Sequence, residues 1–122
     1  MLFRSRRAIT QKLVGADGTL ALVTFAAPVE RALADAVHRG EDGAGLVLDP
    51  LTAQRLVGRL RGWMERFVTE GATPILLCGA TLRPWIRRFL ERYVSGLVVL
   101  APAEIGTGIR VRSLGVVTLD DA

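Results

Sequence analysis

The sequence contains few of the residues that build disulfides, metal centres or thiol active sites. Cys78 is the only cysteine and His38 the only histidine among 122 residues. One cysteine excludes an intrachain disulfide and a cysteine-based metal cluster, and a single histidine without a cysteine nearby supplies no ligand set. Cys78 ends an apolar run with no base beside it, so we interpret it as a buried thiol. We therefore predict neither a metal nor a cofactor.

Long apolar runs are also missing, although 50% of the residues are hydrophobic. No run approaches the roughly 20 apolar residues that a membrane-spanning helix needs. The basic stretch 1–7 is not followed by the apolar core of a signal peptide, so we predict no export signal. The length suffices for one domain with a single hydrophobic core.

Lysine is nearly absent, since Lys12 is the only one among 16 basic residues, against 12 acidic residues. The formal net charge of +4 leaves two interpretations open. An arginine-rich surface suits nucleic acid or an acidic protein partner, whereas a GC-rich genome favours arginine codons without any functional meaning. Binding of single-stranded nucleic acid would favour aromatic residues on the basic surface. The aromatic residues of the predicted helices follow the apolar stripes instead, and we predict that they are core residues: Trp63, Phe67, Trp85, Phe89 and Tyr93.

The apolar periodicity predicts an α/β fold. Strand-forming residues lie at 20–25, 74–78, 97–100 and 109–117, and 46–48 has the pattern of a further short strand. The runs at 74–78 and 97–100 are almost free of polar residues, which is typical of parallel strands buried on both faces. With a helical pattern between them, these two runs form a parallel crossover.

Helical patterns fill the segments between the strands. The first helix starts at Pro28 and is closed by Gly40. The second follows Asp49 and Pro50, because aspartate caps free N–H groups and proline has no N–H to leave unpaired. Gly71 occupies the position of a C-terminal cap. The apolar stripe of the second helix consists of Leu56, Val57, Leu60, Trp63, Met64, Phe67 and Val68.

The third helix follows a glycine turn at 79–81, and we expect Thr81 to cap it. A strand, a glycine turn and a helix can build a phosphate site, but the lysine and spaced glycines of the known phosphate-binding loops are missing. No carboxylate pair suits acid–base catalysis, so we do not expect an enzyme. The helix runs to Val94, and its stripe consists of Leu82, Trp85, Ile86, Phe89, Leu90, Tyr93 and Val94.

Arginines populate the other side of this third helix. Arg83 and Arg87 are four residues apart and share a face, as do Arg88 and Arg92. These arginines form either a docking face for an acidic partner or a solvated helix surface partly paired with Glu91. We take Arg83, Arg87 and Arg92 as the candidate partner-binding residues.

Residues 1–17 stand apart from the α/β pattern. The helical pattern at 4–14 has few apolar residues, and a single helix of this length is marginal by itself. We predict that 1–17 end a preceding helical subdomain and that 18–122 form a C-terminal α/β subdomain. This subdomain would be a small layered domain with a mostly parallel sheet and helices packed on it, preceded by the orphan helix.

The order of the segments resembles that of the type III secretion export-gate family. The most specific part is PILLCGATLRPWIRRFLER at 74–92, followed by VL at 99–100 and EI at 104–105. The stretch AITQ at 8–11 favours the flagellar branch over the injectisome branch. One departure is Ala26-Ala27-Pro28, where the family has an aspartate cap before proline.

The resemblance implies a non-enzymatic role in protein export. Family members carry a membrane region and a cytoplasmic region of four subdomains, which forms a nine-membered ring and receives export chaperones and export substrates. We therefore expect a cytoplasmic docking subdomain at the inner membrane, contacting other export-apparatus subunits, with ring assembly requiring the full-length protein. The family's main chaperone-gripping residues lie in earlier subdomains and are not carried over.

The sequence also leaves one alternative open. A free-standing basic α/β domain could bind nucleic acid or an acidic protein partner. The sequence does not decide whether the chain is a fragment or a separate protein.

Overall fold

The structure, a computed structural model, describes residues 13–15, 17–39, 48–106 and 108–119. The elements within these ranges confirm the predicted α/β fold. The predicted helix at 4–14 and strand at 46–48 lie almost wholly outside them. The described elements are β1 (Thr19–Phe25), α1 (Ala27–Arg39), α2 (Pro50–Glu70), β2 (Ile75–Leu77), α3 (Arg83–Glu91), β3 (Val98–Leu100), a 3₁₀ turn (Pro102–Glu104) and β4 (Arg110–Val117).

The four strands form one parallel sheet in the order β3-β2-β1-β4. The chain steps outward from β1 to β2 and β3 through helices, then returns past β1 to add β4 at the other edge. The pairing of β1 with β4 shifts register between Leu22 and Val23, which is a bulge in the longest ladder of the sheet. The connections from β1 to β2 and from β2 to β3 run in one direction across the sheet, and the connection from β3 to β4 runs in the other. Because such crossovers are right-handed, connections that run in opposite directions lie on opposite faces of the sheet.

The helices accordingly cover one face and build the main core. Side chains from β1, including Val23 and Phe25, pack there against all three helices. Leu56, Leu60 and Phe67 of α2 are fully buried, and each buried side chain of this size contributes about 1.5–3 kcal/mol. The core therefore holds α2 in place chiefly through one stripe.

The opposite face of the sheet carries a second, smaller apolar cluster. Leu20, Leu22, Ile75 and Leu100 are buried there. Leu13 and Val14 pack against this cluster, as do Ile105 and Ile109 from the connection between β3 and β4. The predicted division of the chain at residue 17 stays a prediction. Leu13 and Val14, which precede β1, nevertheless contact the α/β unit.

Local signals set the ends of α2 as predicted. The Asp49 carboxylate accepts a hydrogen bond from the Thr52 N–H at 3.1 Å and from the Thr52 hydroxyl at 2.6 Å. Gly71 adopts the left-handed conformation with φ 68°, and its N–H bonds back to the last turn. These two residues close the helix without help from any other element.

The predicted stripe of α2 is wrong at its last residue. Val68 is 75% exposed, although Val57 and Met64, which lie on the same side of the helix, pack against the core. The buried stripe therefore ends one residue earlier than predicted, in the last turn before the Gly71 cap.

Candidate functional site

Helix α3 begins without the predicted threonine cap. Its N-cap position is Leu82, which makes no side-chain cap bond, and Thr81 lies exposed in the preceding turn. The N–H groups of Leu82 and Arg83 both donate to the Gly79 carbonyl oxygen at 3.0 Å. The predicted Thr81 cap is wrong because a backbone carbonyl already accepts these donors. These two N–H groups are therefore not available to bind an anion, as expected for a turn that is not a phosphate site.

A groove of about 490 Å³ lies between α3 and the outer edge of β3. Its apolar wall includes Leu90 and Val94, together with the β3 strand. Charged side chains from α3 and from the 3₁₀ turn lie along the same groove. These side chains are Arg83, Arg87, Glu91 and Glu104.

Arg83 closes one end of this groove through an ion pair. Its Nε lies 2.9 Å from Oε1 of Glu104, and the two side chains are 29% and 31% exposed. The same carboxylate oxygen accepts the N–H of Ala101 at 2.9 Å. Glu104 therefore ties the start of α3 to the end of β3. Arg83 has a structural partner that the sequence pattern does not reveal.

Arg87 is the more accessible cation of the groove. Its Nε lies 3.7 Å from Oε1 of Glu91, and the side chains are 63% and 66% exposed. Exposed pairs one helical turn apart contribute only about 0.3–0.5 kcal/mol. Arg87 can therefore exchange Glu91 for an acidic group of a partner at little cost. This geometry agrees with the predicted partial pairing with Glu91.

Arg92 does not join the other two candidates. It follows the end of α3 and lies about 180° round the helix axis from Arg83. Its side chain forms no ion pair or hydrogen bond within the described ranges. Arg88 stacks over the Trp85 ring at 5.8 Å from the ring centroid. The structure thus groups Arg83 with Arg87 and separates them from Arg92.

A second groove, of about 420 Å³, separates α2 from α3 and is lined by aromatic and small residues. Phe89 and Tyr93 contribute a ring pair with centroids 5.2 Å apart, and Nη2 of Arg61 donates to the Tyr93 carbonyl oxygen at 3.2 Å. Tyr93 is exposed, so its prediction as a core residue is wrong. Tyr93 follows the end of α3, and the next residue, Val94, packs into the core in its place.

Cys78 follows the carboxyl end of β2, the edge of the sheet at which ligands of α/β proteins commonly bind. Its thiol is nevertheless not in a reactive form. Burial, with a further contribution from the negative charge of Glu30, raises the pKa of the Cys78 thiol to about 12. A thiol needs its ionised form to attack or to bind a metal. The prediction of a buried, unreactive thiol is confirmed in its burial.

Acidic, histidine and cysteine side chains form no metal-binding group among the described residues. In the same part of the chain, no helix is both long enough and apolar enough to cross a membrane. The two grooves described above and the arginines beside them are exposed features suited to contact with another molecule.

Sequence comparison identifies the family of this chain. Residues 3–110 match the FHIPEP family. The chain is 33% identical over 113 residues to the flagellar biosynthesis protein FlhA of Bacillus subtilis (strain 168), covering 93% of the chain and 17% of that protein. It is 34% identical over 106 residues to FlhA of Escherichia coli (strain K12), covering 87% of the chain and 15% of that protein.

Solved structures share the fold. The nonameric EscV cytosolic domain from the type III secretion system aligns with a TM-score of 0.67 at 22% identity, over 95% of this chain and 34% of that one. CdsV of Chlamydia pneumoniae, in its complex with CdsO, aligns with a TM-score of 0.72 at 21% identity, over 93% of this chain and 33% of that one.

The chain spans about a sixth of the length of the flagellar relatives that it matches, 17% and 15% in the two cases. The match nevertheless covers β1, β2, β3 and all three described helices, and it ends at Arg110, the first residue of β4. The resemblance inferred from the segment order is thereby confirmed. The chain belongs to the FHIPEP family, the type III secretion export-gate family that includes the flagellar biosynthesis proteins FlhA.

Proposed function

We propose that this chain acts as a cytoplasmic docking subdomain of a flagellar type III protein-export gate. It takes part in receiving export chaperones and export substrates, it contacts other export-apparatus subunits, and it assembles into a ring only as part of the full-length protein. Residues 1–17 then end the preceding subdomain. The observation that carries the proposal is the FHIPEP match over residues 3–110.

Two features of the relatives support this role. The EscV cytosolic domain is nonameric, and CdsV has been solved in complex with the CdsO protein. These properties belong to those proteins, and we extend them to this chain as part of the proposal. The buried, protonated Cys78 thiol fits a binding role better than a nucleophilic one.

The groove beside α3 is the docking surface that we assign to this function. Arg87 is accessible and only weakly held by Glu91, whereas Arg83 is engaged by Glu104. We therefore expect Arg87 to contribute most to binding an acidic partner and Arg83 to shape the groove. Arg92 lies outside the groove and would contact the partner only if the interface extends round α3.

A chimera tests the proposal. The matching segment of Bacillus subtilis FlhA is replaced by this chain, and swimming and secretion of flagellar export substrates are measured. Arg87→Glu should reduce secretion in the chimera, while Arg31→Glu, an exposed charge reversal on α1, should not. Normal secretion with Arg87→Glu would remove the groove from the proposal. A chimera that is folded and membrane-bound but secretes nothing would contradict the docking role itself.

The nucleic-acid alternative has a different signature. Binding to phosphates falls steeply with salt because counterions are released. A labelled single-stranded DNA that does not bind the purified chain at low salt would exclude this alternative. The described aromatic rings nearest the arginines of α3 already have partners: Arg88 lies over the Trp85 ring at 5.8 Å, and the Tyr93 ring pairs with Phe89 at 5.2 Å.

A further inference from the structure

The groove between α2 and α3 combines a pair of aromatic rings with small residues. Phe89 and Tyr93 of α3 contribute the rings, whose centroids lie 5.2 Å apart, and Tyr93 is 46% exposed. Apart from Arg61, the α2 wall consists of uncharged residues: Pro50, Ala53, Gln54, Val57 and Gly58. Aromatic side chains contribute strongly to interfaces because they bring a large apolar area to a contact. This groove therefore suits a large apolar side chain of another molecule.

Gly58 leaves space in the wall of this groove. A Cβ added to Gly58 would meet nothing within 4 Å, so the described residues do not fill the volume beside it. The groove as a whole measures about 420 Å³, which lies near the lower end of the range for ligand pockets. A volume of this size accommodates a few side chains rather than a whole folded element.

Arg61 is the one charged residue among the described residues that line the groove. Its Nη2 donates to the Tyr93 carbonyl oxygen at 3.2 Å, and it forms no ion pair with a carboxylate of the described ranges. The carbonyl is a neutral acceptor, so this hydrogen bond orients the guanidinium without neutralising its charge. The side chain is exposed, and its remaining N–H groups suit a carboxylate, which arginine binds through parallel hydrogen bonds.

The acidic residues next to the groove in the chain are already engaged. The Asp49 carboxylate, beside Pro50 of the lining, accepts two hydrogen bonds from Thr52. Glu91, between Phe89 and Tyr93, pairs with Arg87 on another side of α3. The positive charge of Arg61 is therefore not offset by its immediate surroundings, and an acidic group of another molecule would complement it.

The groove favours a polypeptide over nucleic acid as the source of this acidic group. A nucleic-acid strand carries a phosphate at every nucleotide and is held by several cations along its length. The described lining contains a single cation, Arg61, within an otherwise uncharged wall. One carboxylate beside one apolar side chain matches this arrangement, and a polypeptide supplies both within neighbouring residues.

We propose that the groove between α2 and α3 binds a short segment of a partner polypeptide that carries a large apolar side chain beside a carboxylate. The apolar side chain packs between Gly58 and the rings of Phe89 and Tyr93, and the carboxylate pairs with Arg61. This groove shares no lining residue with the groove beside β3. It is therefore a second docking surface, separate from the one assigned to the proposed function.

Peptide titration of the full chain, followed by backbone amide NMR, tests the proposal. The glutamate probe is the capped peptide Gly-Glu-Phe-Glu-Gly, and the glutamine probe carries glutamine in place of both glutamates. The glutamate probe should shift the amides of Gly58 and Tyr93, and the glutamine probe should bind about tenfold more weakly. No binding of either probe, equal affinity of both, or shifts confined to the groove beside β3 would each overturn the proposal.

A double-mutant cycle between chain and probe isolates the ion pair. Arg61→Gln should weaken the glutamate probe about tenfold and leave the affinity of the glutamine probe unchanged. Arg31→Gln is the matched control, because Arg31 is an exposed arginine of α1 outside the groove lining, and it should change neither affinity. Equal losses of both probes in Arg61→Gln would show that Arg61 acts by shaping the groove, which would contradict the pairing with a carboxylate.

Two glycine variants locate the apolar side chain of the probe. Gly58→Leu fills the groove and should weaken the glutamate probe about tenfold, and leucine favours a helix more than glycine does, so the fold is kept. Gly62→Leu makes the same change one turn further along α2, outside this groove, and should not alter the affinity. Unchanged affinity in Gly58→Leu, or equal losses in both variants, would contradict the site.

Two further outcomes would overturn the proposal by showing a different occupant. Amide shifts at Gly58 and Tyr93 that grow with protein concentration, without any peptide, would assign the groove to a second copy of the chain. Displacement of the glutamate probe by single-stranded DNA at low salt would assign it to nucleic acid.

Discussion

The Trp63 ring fills the space that a side chain at position 115 would need. A Cβ on Gly115 would lie 2.6 Å from Cη2 of Trp63 and 3.0 Å from Cζ2. The glycine thus lets α2 pack closely on β4, next to the bulge in the β1–β4 ladder. This contact joins the longest helix to the outermost strand.

Gly115→Ala should therefore destabilise the fold. The added methyl group must push the indole ring or the strand aside, and overpacking of this kind costs about 1–3 kcal/mol. Urea unfolding should show a lower midpoint with an unchanged m-value. Gly58→Ala is the matched control, because its Cβ meets nothing, and it should stabilise α2 by about 1 kcal/mol. Equal stability of the two variants would refute the close packing.

Removal of the Glu104 carboxylate should also lower stability. Glu104→Ala leaves both the Arg83 guanidinium and the Ala101 N–H without their acceptor, and loss of such an acceptor costs about 1–3 kcal/mol. Glu104→Gln keeps an oxygen in place and should lose clearly less free energy of unfolding. Chemical denaturation of both variants checks the order. Equal destabilisation of Glu104→Gln and Glu104→Ala would show that the acceptor oxygen at position 104 is not what stabilises the fold.

Stability should fall in acid in part through Asp49. Hydrogen bonds from Thr52, first from its side chain and then from its N–H, hold the pKa of Asp49 below the ordinary value of 3.8. A depressed pKa in the folded state stabilises the fold above the unfolded pKa, and the contribution is lost as pH falls through the folded pKa. Asp49→Asn keeps a capping oxygen but does not titrate.

The comparison of wild type with Asp49→Asn isolates this effect. Wild type should lose more free energy of unfolding between roughly pH 6 and pH 2 than the variant does. Asp17 titrates in the same range, since hydrogen bonds from Thr19 lower its pKa, but it is present in both proteins and cancels. Parallel acid profiles of the two proteins would show that the Asp49 cap does not depend on charge.

Cys78 should resist thiol reagents in the folded chain. Burial raises the pKa of its thiol from 9.0 to about 12, so almost no thiolate forms at neutral pH. Labelling by a disulfide reagent should be slow and should accelerate with denaturant in step with unfolding. The raised pKa also means that the fold loses stability as pH climbs from 9.0 towards about 12, because the unfolded thiol ionises first. Rapid labelling under native conditions would contradict the burial.

The local parts of the fold could be predicted from the sequence. The Asp49 cap, the Gly71 cap and the ends of α2 depend on contacts within four residues, so their signals are contiguous. The nearly continuous apolar runs at β2 and β3 predicted buried parallel strands, and the sheet confirms this. The prediction that Thr81 caps α3 was wrong, because the Gly79 carbonyl oxygen accepts the same N–H groups. Every residue has a backbone carbonyl, so the sequence does not show which one will accept these hydrogen bonds.

The candidate site was only partly visible in the sequence. Helical spacing placed Arg83 and Arg87 on one face, and both line the groove beside β3. Arg92 was grouped with them although it lies on the opposite side of the axis. The partner of Arg83 is Glu104, which follows another strand, so neither the spacing nor the composition could indicate that pairing.

The sequence by itself determined the α/β class, the ends of α2, the burial of Cys78 and membership in the FHIPEP family. These follow from apolar periodicity, residues within one helical turn, and a family pattern along the chain. Only the tertiary structure decided the strand order, the contact of Trp63 with Gly115, the Arg83–Glu104 pair and the place of β4 at one edge of the described sheet. The reason is that crossover connections bring together residues from distant segments, and a distance in space of this kind has no counterpart in the spacing of residues along the chain.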